Sequence, residues 1–435
     1  MLALLGHVLF GLFGLAVLVG IAFIFSNNKR VVDWKLVATG IALQICFAAI
    51  VLKVPLGRDV FDAIATGFVR LLDYVDVGSR FIFGSLLDSS KFGVIFAVKV
   101  LPTIVFFAAL TGVLYHLGIM QQIVKGMAWV ITKVMRVSGA ETTSVCASVF
   151  IGQTEAPLTI KPYIERMTQA ELMTVMIGGM AHIAGSVMAA YVAMLGGDDP
   201  VQRMFYAKHL LTASVMAAPA TIVLAKILVP ETQEPLTRGT VKIDVERTTA
   251  NVIDAAATGA GDGLKLAMNV GAMLLAFIAL IALINGPVQW LGTVGGPEGS
   301  LNHWLTGFVG HDVKLSLETI FGWVLSPIAW LIGVPWQDAT LVGSFIGQKV
   351  VINEFVAYAD LAKHLDELLP HSRLIATYAL CGFANFSSIA IQIGGIGGLA
   401  PNRRADLARL GLRAVLGGSI ATFMTATIAG VLEGF

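Results

Sequence analysis

The sequence predicts an all-α polytopic membrane protein with about eight transmembrane helices, two re-entrant helical hairpins, interfacial helices and an internal repeat. Of the 435 residues, 56% are hydrophobic and only 13% are charged, whereas soluble domains usually carry about 25% charged residues. Apolar segments of about 20 residues, the length needed to cross a bilayer, recur along the chain. The net charge of +1 gives no indication of a nucleic-acid partner.

The predicted spans follow from long apolar segments. Residues 1–28 contain no Asp, Glu, Lys or Arg, and Lys29, Arg30 and Lys35 follow them. By the positive-inside rule this first loop is cytoplasmic and the N-terminus lies outside. The first segment has no basic n-region, so we interpret it as a span and not as a cleaved signal. The eight predicted spans are residues 1–28, 36–52, 100–124, 172–197, 210–225, 266–291, 374–393 and 414–432.

The segments between the spans are more polar. Apolar residues recur at helical spacing among charges in 55–91 and 126–139, which favours amphipathic helices at the membrane interface. For 55–91, an ordinary helix packed on protein is equally compatible with the pattern. Residues 229–250 are predicted to be a polar loop, and 312–337 a helix and a turn. The arginines between residues 403 and 413 predict a second cytoplasmic loop, which leaves the C-terminus outside.

The most unusual stretch is 148–157, where Gln153, Thr154 and Glu155 stand in a row inside an apolar region. A charge at membrane depth is costly and is usually functional. The apolar run is too short to span, and Gly152 and Pro157 would break a helix. Non-helical backbone survives at that depth only against protein or a wet cavity. We therefore predict a first re-entrant hairpin over 140–166 and, around Glu354, a second over 337–368.

An internal repeat connects the two hairpins. The tetrapeptide Phe-Ile-Gly-Gln at 150–153 recurs at 345–348, and each copy precedes a carboxylate, Glu155 or Glu354. The pattern Thr-x4-Gly-x-Ala at 174–181 matches 377–384, and His182 or Asn385 follows it. Transporters are often built from such repeats, and their site lies where the broken elements meet. We divide the chain into scaffold helices (1–118), a first repeat (119–229), a loop with a scaffold helix (230–316) and a second repeat (317–435).

Three motifs identify a family resemblance. They are Gly152-Gln153-Thr154-Glu155-Ala156-Pro157-Leu158 with Lys161-Pro162-Tyr163, Asn353-Glu354-Phe355-Val356-Ala357-Tyr358, and Ala376-Thr377-Tyr378-Ala379-Leu380-Cys381-Gly382-Phe383-Ala384-Asn385. The chain resembles the concentrative nucleoside transporters, as a bacterial member, from about residue 126 to the C-terminus. The resemblance implies ion-driven nucleoside import in the inner membrane, an elevator-like movement, a homotrimer and no cofactor. It carries the nucleobase contacts to Gln153, Thr154, Glu155 and Val187, and the ribose contacts to Glu354, Asn385 and Ser388, with Phe383 as a pocket aromatic.

The chemistry of these side chains fits such a substrate. A Gln amide and a Thr hydroxyl can pair with the donors and acceptors of a base. A carboxylate accepts strong hydrogen bonds from ribose hydroxyls. Simpler interpretations remain for each group. The two glutamates could pair with Lys161 and Lys349. Gln153 and Asn385 could cap broken helices. Phe383 could be packing, and Ser388 could hold helices together.

The expected coupling ion depends on two departures from the family pattern. The side-chain sodium ligands of the sodium-coupled members, an Asn and a Ser or Thr, correspond to Ser148 and His182. The remaining ligands are backbone carbonyls, matching Ile151 and Ile183. Sodium prefers oxygen ligands, whereas histidine titrates near neutral pH. We therefore predict proton coupling, with His182 or Glu155 as the proton carrier. The alternative is a sodium ion bound at the four positions just named. A further alternative is that His182 is a hydrogen-bonded packing residue.

Other functions remain possible from the sequence. A transporter of another polar solute, such as a nucleobase or a sugar, would use a similar pocket. A membrane-embedded enzyme is disfavoured, because the sequence contains no His-Glu-x-x-His, no Gly-x-Ser-x-Gly and no phosphate-cradling loop. A channel would differ in not accumulating its solute.

Overall fold

The computed structural model describes residues 2–93, 95–240, 249–309 and 313–433. Regular structure within these ranges is helical, apart from an isolated antiparallel bridge between Ser138 and Arg238. The main helices are α1 (Leu2–Ile24), α2 (Trp34–Leu52), α3 (Pro55–Phe83), α4 (Leu101–His116), α5 (Ile119–Met135), α6 (Gly139–Ser148), α7 (Gln169–Ala181), α8 (Gly185–Gly196), α9 (Pro200–Leu228), α10 (Val252–Thr293), α11 (Leu301–Val309), α12 (Leu317–Leu331), α13 (Trp336–Val351), α14 (Glu354–Lys363), α15 (Pro370–Leu380), α16 (Phe386–Leu399) and α17 (Arg404–Glu433).

Short helical turns complete the connections. They are Lys29–Val31, Gly84–Leu87, Ser89–Phe92, Phe96–Lys99, Ala156–Ile160, Lys161–Ile164, Gly296–Gly299, Leu365–Glu367 and Pro401–Arg403. Of the predicted polar loop 229–250, residues 241–248 lie outside the described ranges, and the described remainder is not helical.

Seven helical segments are long and apolar enough to cross a bilayer, and the count in the described chain is eight if the bent pair α12–α13 forms one further span. This agrees with the prediction of about eight spans. The segments are Leu5–Ile24, Trp34–Leu52, Phe96–His116, Gln169–Gly196, Pro200–Leu228, Val252–Thr293 and Pro401–Glu433. The 29-residue helix α3 is not among them, as its amphipathic pattern predicted.

Two predicted boundaries were wrong. The span expected over 100–124 stops at His116, because Gly118 adopts a left-handed conformation (φ 80°) that ends α4 and starts α5 as a separate helix. The span expected over 266–291 belongs to the 42-residue helix α10. The span over 374–393 is broken, as the repeat predicted, into two shorter helices, α15 and α16, separated by residues 381–385.

The innermost layer is formed by the broken and C-terminal helices. In Gln169–Gly196 94% of the most apolar window is buried, against 17% in Val252–Thr293. Helices α7, α9, α15 and α17 pack against one another at the centre, whereas α10 packs on α4, and α2 and α3 pack on α9. The repeat segments therefore make the core, and the N-terminal helices with α10 lie around it.

Both predicted hairpins are present as paired helical segments. In the first, α6 ends at Ser148, and the chain returns through Ala156–Ile160, which packs on α6. In the second, α13 packs on α14 across a break at residues 352 and 353. A bend of 116° between α12 and α13 separates the second hairpin from the preceding helix. That bend follows Ile332 and precedes Pro335, where the sequence predicted a turn.

The register assumed for the repeat was wrong at the tetrapeptide. Phe-Ile-Gly-Gln lies at the tip of the first hairpin but inside α13 of the second. Gln348 consequently donates to Asp360 Oδ2 at 2.7 Å and takes no part in the cavity wall. The two glutamates correspond better, since Glu155 and Glu354 both follow their hairpin tips directly.

The two broken helices meet at their breaks. The backbone N–H of Phe383 donates to the carbonyl oxygen of His182 at 3.3 Å. Gly382 permits this approach, because a Cβ there would lie 2.8 Å from the carbonyl oxygen of Met180. Since a backbone hydrogen bond joins the breaks, their unwound ends are presented to one shared region.

Candidate functional site

A cavity of about 640 Å³ lies where the hairpin tips and the helix breaks converge. Its inner wall comes from both repeats, and its outer wall comes from α4 and α10. All eight residues predicted to contact substrate line it: Gln153, Thr154, Glu155, Val187, Glu354, Phe383, Asn385 and Ser388. The two glutamates, 199 positions apart by their numbering, therefore share one cavity.

One group of polar side chains in the cavity wall is centred on Glu354. Its carboxylate accepts a hydrogen bond from the Tyr191 hydroxyl at 3.1 Å and one from the Asn385 amide at 2.9 Å. Asn385 also caps α16, because its Oδ1 accepts from the backbone N–H of Ser388 at 2.9 Å. The predicted capping role of Asn385 and its position in the wall are thus both observed. The carboxylate keeps unused lone pairs, which suits hydroxyl donors.

A second group, centred on Gln153, adjoins the first through Ser388. The Gln153 amide nitrogen donates to the Ser388 hydroxyl at 3.2 Å, and its oxygen accepts from the Gln392 amide at 3.2 Å. Gln392 also donates to the carbonyl oxygen of Met176 at 2.9 Å. Buried polar groups of this kind hold one another in a fixed orientation. Gln392 was missed by the sequence analysis, although a fully buried Gln one turn after Ser388 was a readable signal.

The remaining predicted residues differ in exposure. Val187 is buried in the wall, and Phe383 is partly buried beside the break. Thr154 packs against α16, since a Cβ at Gly395 would lie 2.8 Å from its methyl group. Glu155 is exposed to the cavity and lies over Gly152, where any side chain would collide with its carboxylate.

The residues predicted for ion coupling lie beside the cavity. The hairpin tip is tied to the first helix break, because the backbone N–H of Gly185 donates to the Phe150 carbonyl at 2.9 Å. Ile151 lines the cavity, and Ile183 is buried next to the break. The Ser148 hydroxyl donates to the Ser144 carbonyl at 3.0 Å.

His182 is also buried, at 1% exposure. Its Nδ1 lies 2.7 Å from the Gly178 carbonyl oxygen. Among the described residues, those that line the cavity do not include His182. This geometry matches the packing interpretation of His182.

The pairing of Glu354 with Lys349 is not found among the described residues. The fully buried Lys349 instead donates to the Ala379 carbonyl at 2.8 Å and to the Thr422 hydroxyl at 2.9 Å. Lys161 lines the cavity near Glu155 without an ion pair in the described ranges. Glu354 is consequently left to the cavity and to its two neutral donors.

The outer wall also carries polar groups. Tyr115, His116 and Gln121 face the cavity from α4 and α5. His116 Nδ1 lies 2.7 Å from the hydroxyl of Thr249, just before α10. The substrate-facing wall and this outer wall belong to different helical layers.

Comparison with known families matches most of the chain. Residues 13–86 match the model described as the Na⁺ dependent nucleoside transporter N-terminus, and residues 209–430 match the corresponding C-terminus. Residues 97–198 match a model described as nucleoside recognition. The last model covers the first hairpin and the first broken helix.

Similar proteins extend over the whole length. An uncharacterized transporter of Bacillus subtilis, YutK, is 47% identical, with 98% of this chain and 99% of that protein aligned. The nucleoside permease NupC of Helicobacter pylori is 40% identical, with 98% of each chain aligned. The structure of CNTnw in an inward-facing substrate-bound state superimposes with a TM-score of 0.86 at 43% identity over 98% of each chain. A CNTnw variant in an outward-facing state gives 0.88 at 43% identity over 99% of each chain.

Proposed function

This chain belongs to the family of concentrative, Na⁺-dependent nucleoside transporters, and from that premise we propose that it imports nucleosides by symport, with sodium as the coupling ion. It is a multi-pass protein of the inner membrane, and its family is one of transporters and not of enzymes. The proposal rests chiefly on the shared cavity, which joins the Glu354–Asn385 pair to the Gln153–Ser388–Gln392 network.

The two groups of polar side chains in the cavity wall suit the two halves of a nucleoside. Glu354 and Asn385 offer acceptors and a donor to ribose hydroxyls, and charge-assisted bonds of this kind are the stronger ones. Gln153 and Thr154 offer both hydrogen-bonding senses to a base. Val187 and Phe383 supply apolar wall between the polar groups, the usual composition of a small-molecule site.

Sodium is favoured over the proton by two observations. The family models that match describe Na⁺-dependent transporters. In addition, His182 Nδ1 bonds to the Gly178 carbonyl of its own helix, and among the described residues His182 does not line the cavity, which favours a packing role for it. Ser148 and the carbonyls of Ile151 and Ile183 supply the oxygen atoms that sodium prefers. The hydrogen bond from Gly185 to Phe150 holds these two segments together.

An elevator-like movement and a homotrimer complete the proposal. CNTnw, which this chain resembles along its length, has structures described as inward-facing, intermediate and outward-facing. A protein whose substrate wall lies in the repeats and whose outer wall lies in α4 and α10 can move one against the other. The broad apolar exposure of α10 is suited to lipid and to contact with further copies of the chain.

The deciding experiment is uridine uptake into liposomes that contain the purified protein. One arm imposes an inward sodium gradient at equal pH, and another imposes an inward proton gradient with choline replacing sodium. We expect accumulation above equilibrium in the sodium arm only. Accumulation in the choline arm would establish proton coupling, and equilibration without accumulation in both arms would indicate a channel.

A second experiment separates nucleosides from other polar solutes. Unlabelled uridine should compete with labelled uridine far better than uracil, ribose or a nucleoside lacking ribose hydroxyls. Glu354→Gln should abolish the advantage conferred by the hydroxyls. Asp360→Asn is the matched control, because Asp360 lies in the same hairpin and bonds to Gln348 away from the cavity. Equal competition by uracil and uridine would replace the nucleoside with a nucleobase.

A further inference from the structure

A separate pocket of about 460 Å³ lies at the end of α5, outside the transport cavity. It is lined by Trp129, Thr132, Lys133, Arg136, Arg238 and Gly239. Three of these six residues are cationic. No carboxylate lines the pocket, and none pairs with Lys133, Arg136 or Arg238 among the residues that the structure describes. All three are exposed to solvent, and like charges that line one pocket repel one another less when an anion lies between them.

The chain brings these charges together with backbone bonds. Ser138 and Arg238 form an antiparallel bridge. The N–H of Gly139 donates to the Thr237 carbonyl at 2.9 Å, and the N–H of Gly239 donates to the Val137 carbonyl at 3.3 Å. The hydroxyls of Ser138 and Thr237 lie 2.7 Å apart. Arg238 is therefore fixed beside the end of α5, and is not carried there by a free loop.

Arg136 occupies a conformation that arginine rarely adopts. It is the only described non-glycine residue with a positive φ, 57°, and it ends α5 at a position where glycine is usual. A left-handed residue with a Cβ costs roughly 1–2 kcal/mol. An arginine at this position is explained if its side chain is needed in the pocket.

By the positive-inside rule the basic loop at Lys29 is cytoplasmic, and we assign the pocket to the same side of the membrane. The N–H of Asn27, at the end of α1, donates to the Leu228 carbonyl at the end of α9, and the segment that leads to Arg238 starts there. Trp129 is 56% exposed on α5, and the Lys133 ammonium lies 4.7 Å from its ring centroid. Tryptophan with neighbouring basic residues is typical of the interface, where an amphipathic helix meets headgroups.

We propose that this pocket binds the phosphate headgroup of an anionic phospholipid of the cytoplasmic leaflet. Lys133, Arg136 and Arg238 neutralise the phosphate, and Trp129 lies at the level of the glycerol backbone. The lipid would hold α5, and with it the base of the first hairpin, against the membrane surface. This site is independent of the nucleoside cavity and of the coupling ion.

The test measures retention of phosphatidylglycerol by the purified full-length protein, with phosphatidylcholine for comparison, by native mass spectrometry. Each basic residue near an anionic surface contributes about fivefold in affinity, the factor that about 1 kcal/mol per residue implies. We expect Arg136→Gly, Arg238→Gln and Lys133→Gln each to weaken phosphatidylglycerol retention by about fivefold. Arg136→Gly also relieves the backbone strain, so the variant stays folded while it loses the lipid.

Lys125→Gln is the matched control, because Lys125 is exposed on the same helix but does not line the pocket. It should bind phosphatidylglycerol as the wild type does. Equal weakening in Lys125→Gln would overturn the proposal in favour of a general surface charge effect, as would equal retention of phosphatidylcholine by the wild type. Displacement of the lipid by millimolar inorganic phosphate would overturn it in favour of a soluble anion.

Discussion

Gln392 is predicted to determine how tightly the base is held, although it is not one of the eight residues implied by the family resemblance. Its amide joins Gln153 Oε1 at 3.2 Å to the Met176 carbonyl at 2.9 Å. Gln392→Met preserves the length of the side chain and removes both donors. Gln153 then keeps only its bond to Ser388, so its amide can rotate away from the orientation that a base requires.

The magnitude follows from the bonds removed. A buried acceptor left without a donor costs about 1–3 kcal/mol, and here two acceptors lose the same donor. Loss of the bond to one of them, the Met176 carbonyl, lowers the free energy of unfolding of the empty and the occupied protein alike. The other, on Gln153, affects the bound state. A loss of about 1.4 kcal/mol at Gln153 corresponds to a tenfold increase in the KM for uridine.

The assay is sodium-driven uridine uptake in liposomes, with thermal unfolding measured in parallel. Gln44→Met is the matched control, because Gln44 is another fully buried glutamine, bonded to Thr425 between α2 and α17. It should lower the melting temperature without changing the KM. An unchanged KM in a folded Gln392→Met protein would refute the role of Gln392. A KM that rises equally in Gln44→Met would reduce the effect to stability.

Three further predictions address charge and coupling. Lys226→Met should destabilise the protein by about 3–5 kcal/mol, because the buried Glu141 carboxylate, which lies 2.9 Å from the Lys226 ammonium, loses its counter-charge. Adding Glu141→Gln to Lys226→Met should recover part of the lost melting temperature, and no recovery would contradict this pairing. Ser148→Asn should lower the sodium concentration that gives half-maximal uptake, because it restores the amide oxygen that the resemblance assigns to the sodium-coupled members. An unchanged sodium dependence would exclude Ser148 from the ion site. Glu354→Ala should reduce uridine affinity by about tenfold to a hundredfold, because a hydrogen bond to a charged group contributes about 1.5–3 kcal/mol. Equilibrium binding of uridine to the folded variant measures this loss.

Much of the fold could be predicted because membrane insertion constrains the sequence strongly. Long uncharged segments such as that of α1 predict spans from length alone. The polar stretch at Gln153 predicts a hairpin, because backbone at that depth must be satisfied by protein. The end of α4 at Gly118 was not predictable from hydropathy, since the apolar run continues through it. The break after α15 was expected from the repeat, but hydropathy did not give its position, because residues 381–385 are apolar on average.

The repeat shows where sequence similarity alone fails. Phe-Ile-Gly-Gln recurs by composition, yet one copy forms a tip and the other a helix interior. The structural correspondence follows the glutamates and the breaks instead. His182 is a different case, because its residue type suggested proton transfer or packing, and its bond to the Gly178 carbonyl favours packing.

The sequence by itself determined the class of the protein and the two hairpins, because rare polar side chains in an apolar chain have few places to go. The eight candidate site residues came from the family resemblance, and the structure places all of them in the wall of one cavity. Only the tertiary structure decided that Gln392 bonds to Gln153, that Lys349 bonds to Ala379 and Thr422 and not to Glu354, and that Arg136 and Arg238 line one pocket. These pairings join residues distant in the chain through the packing of separate helices, and no local pattern of residues encodes such distances.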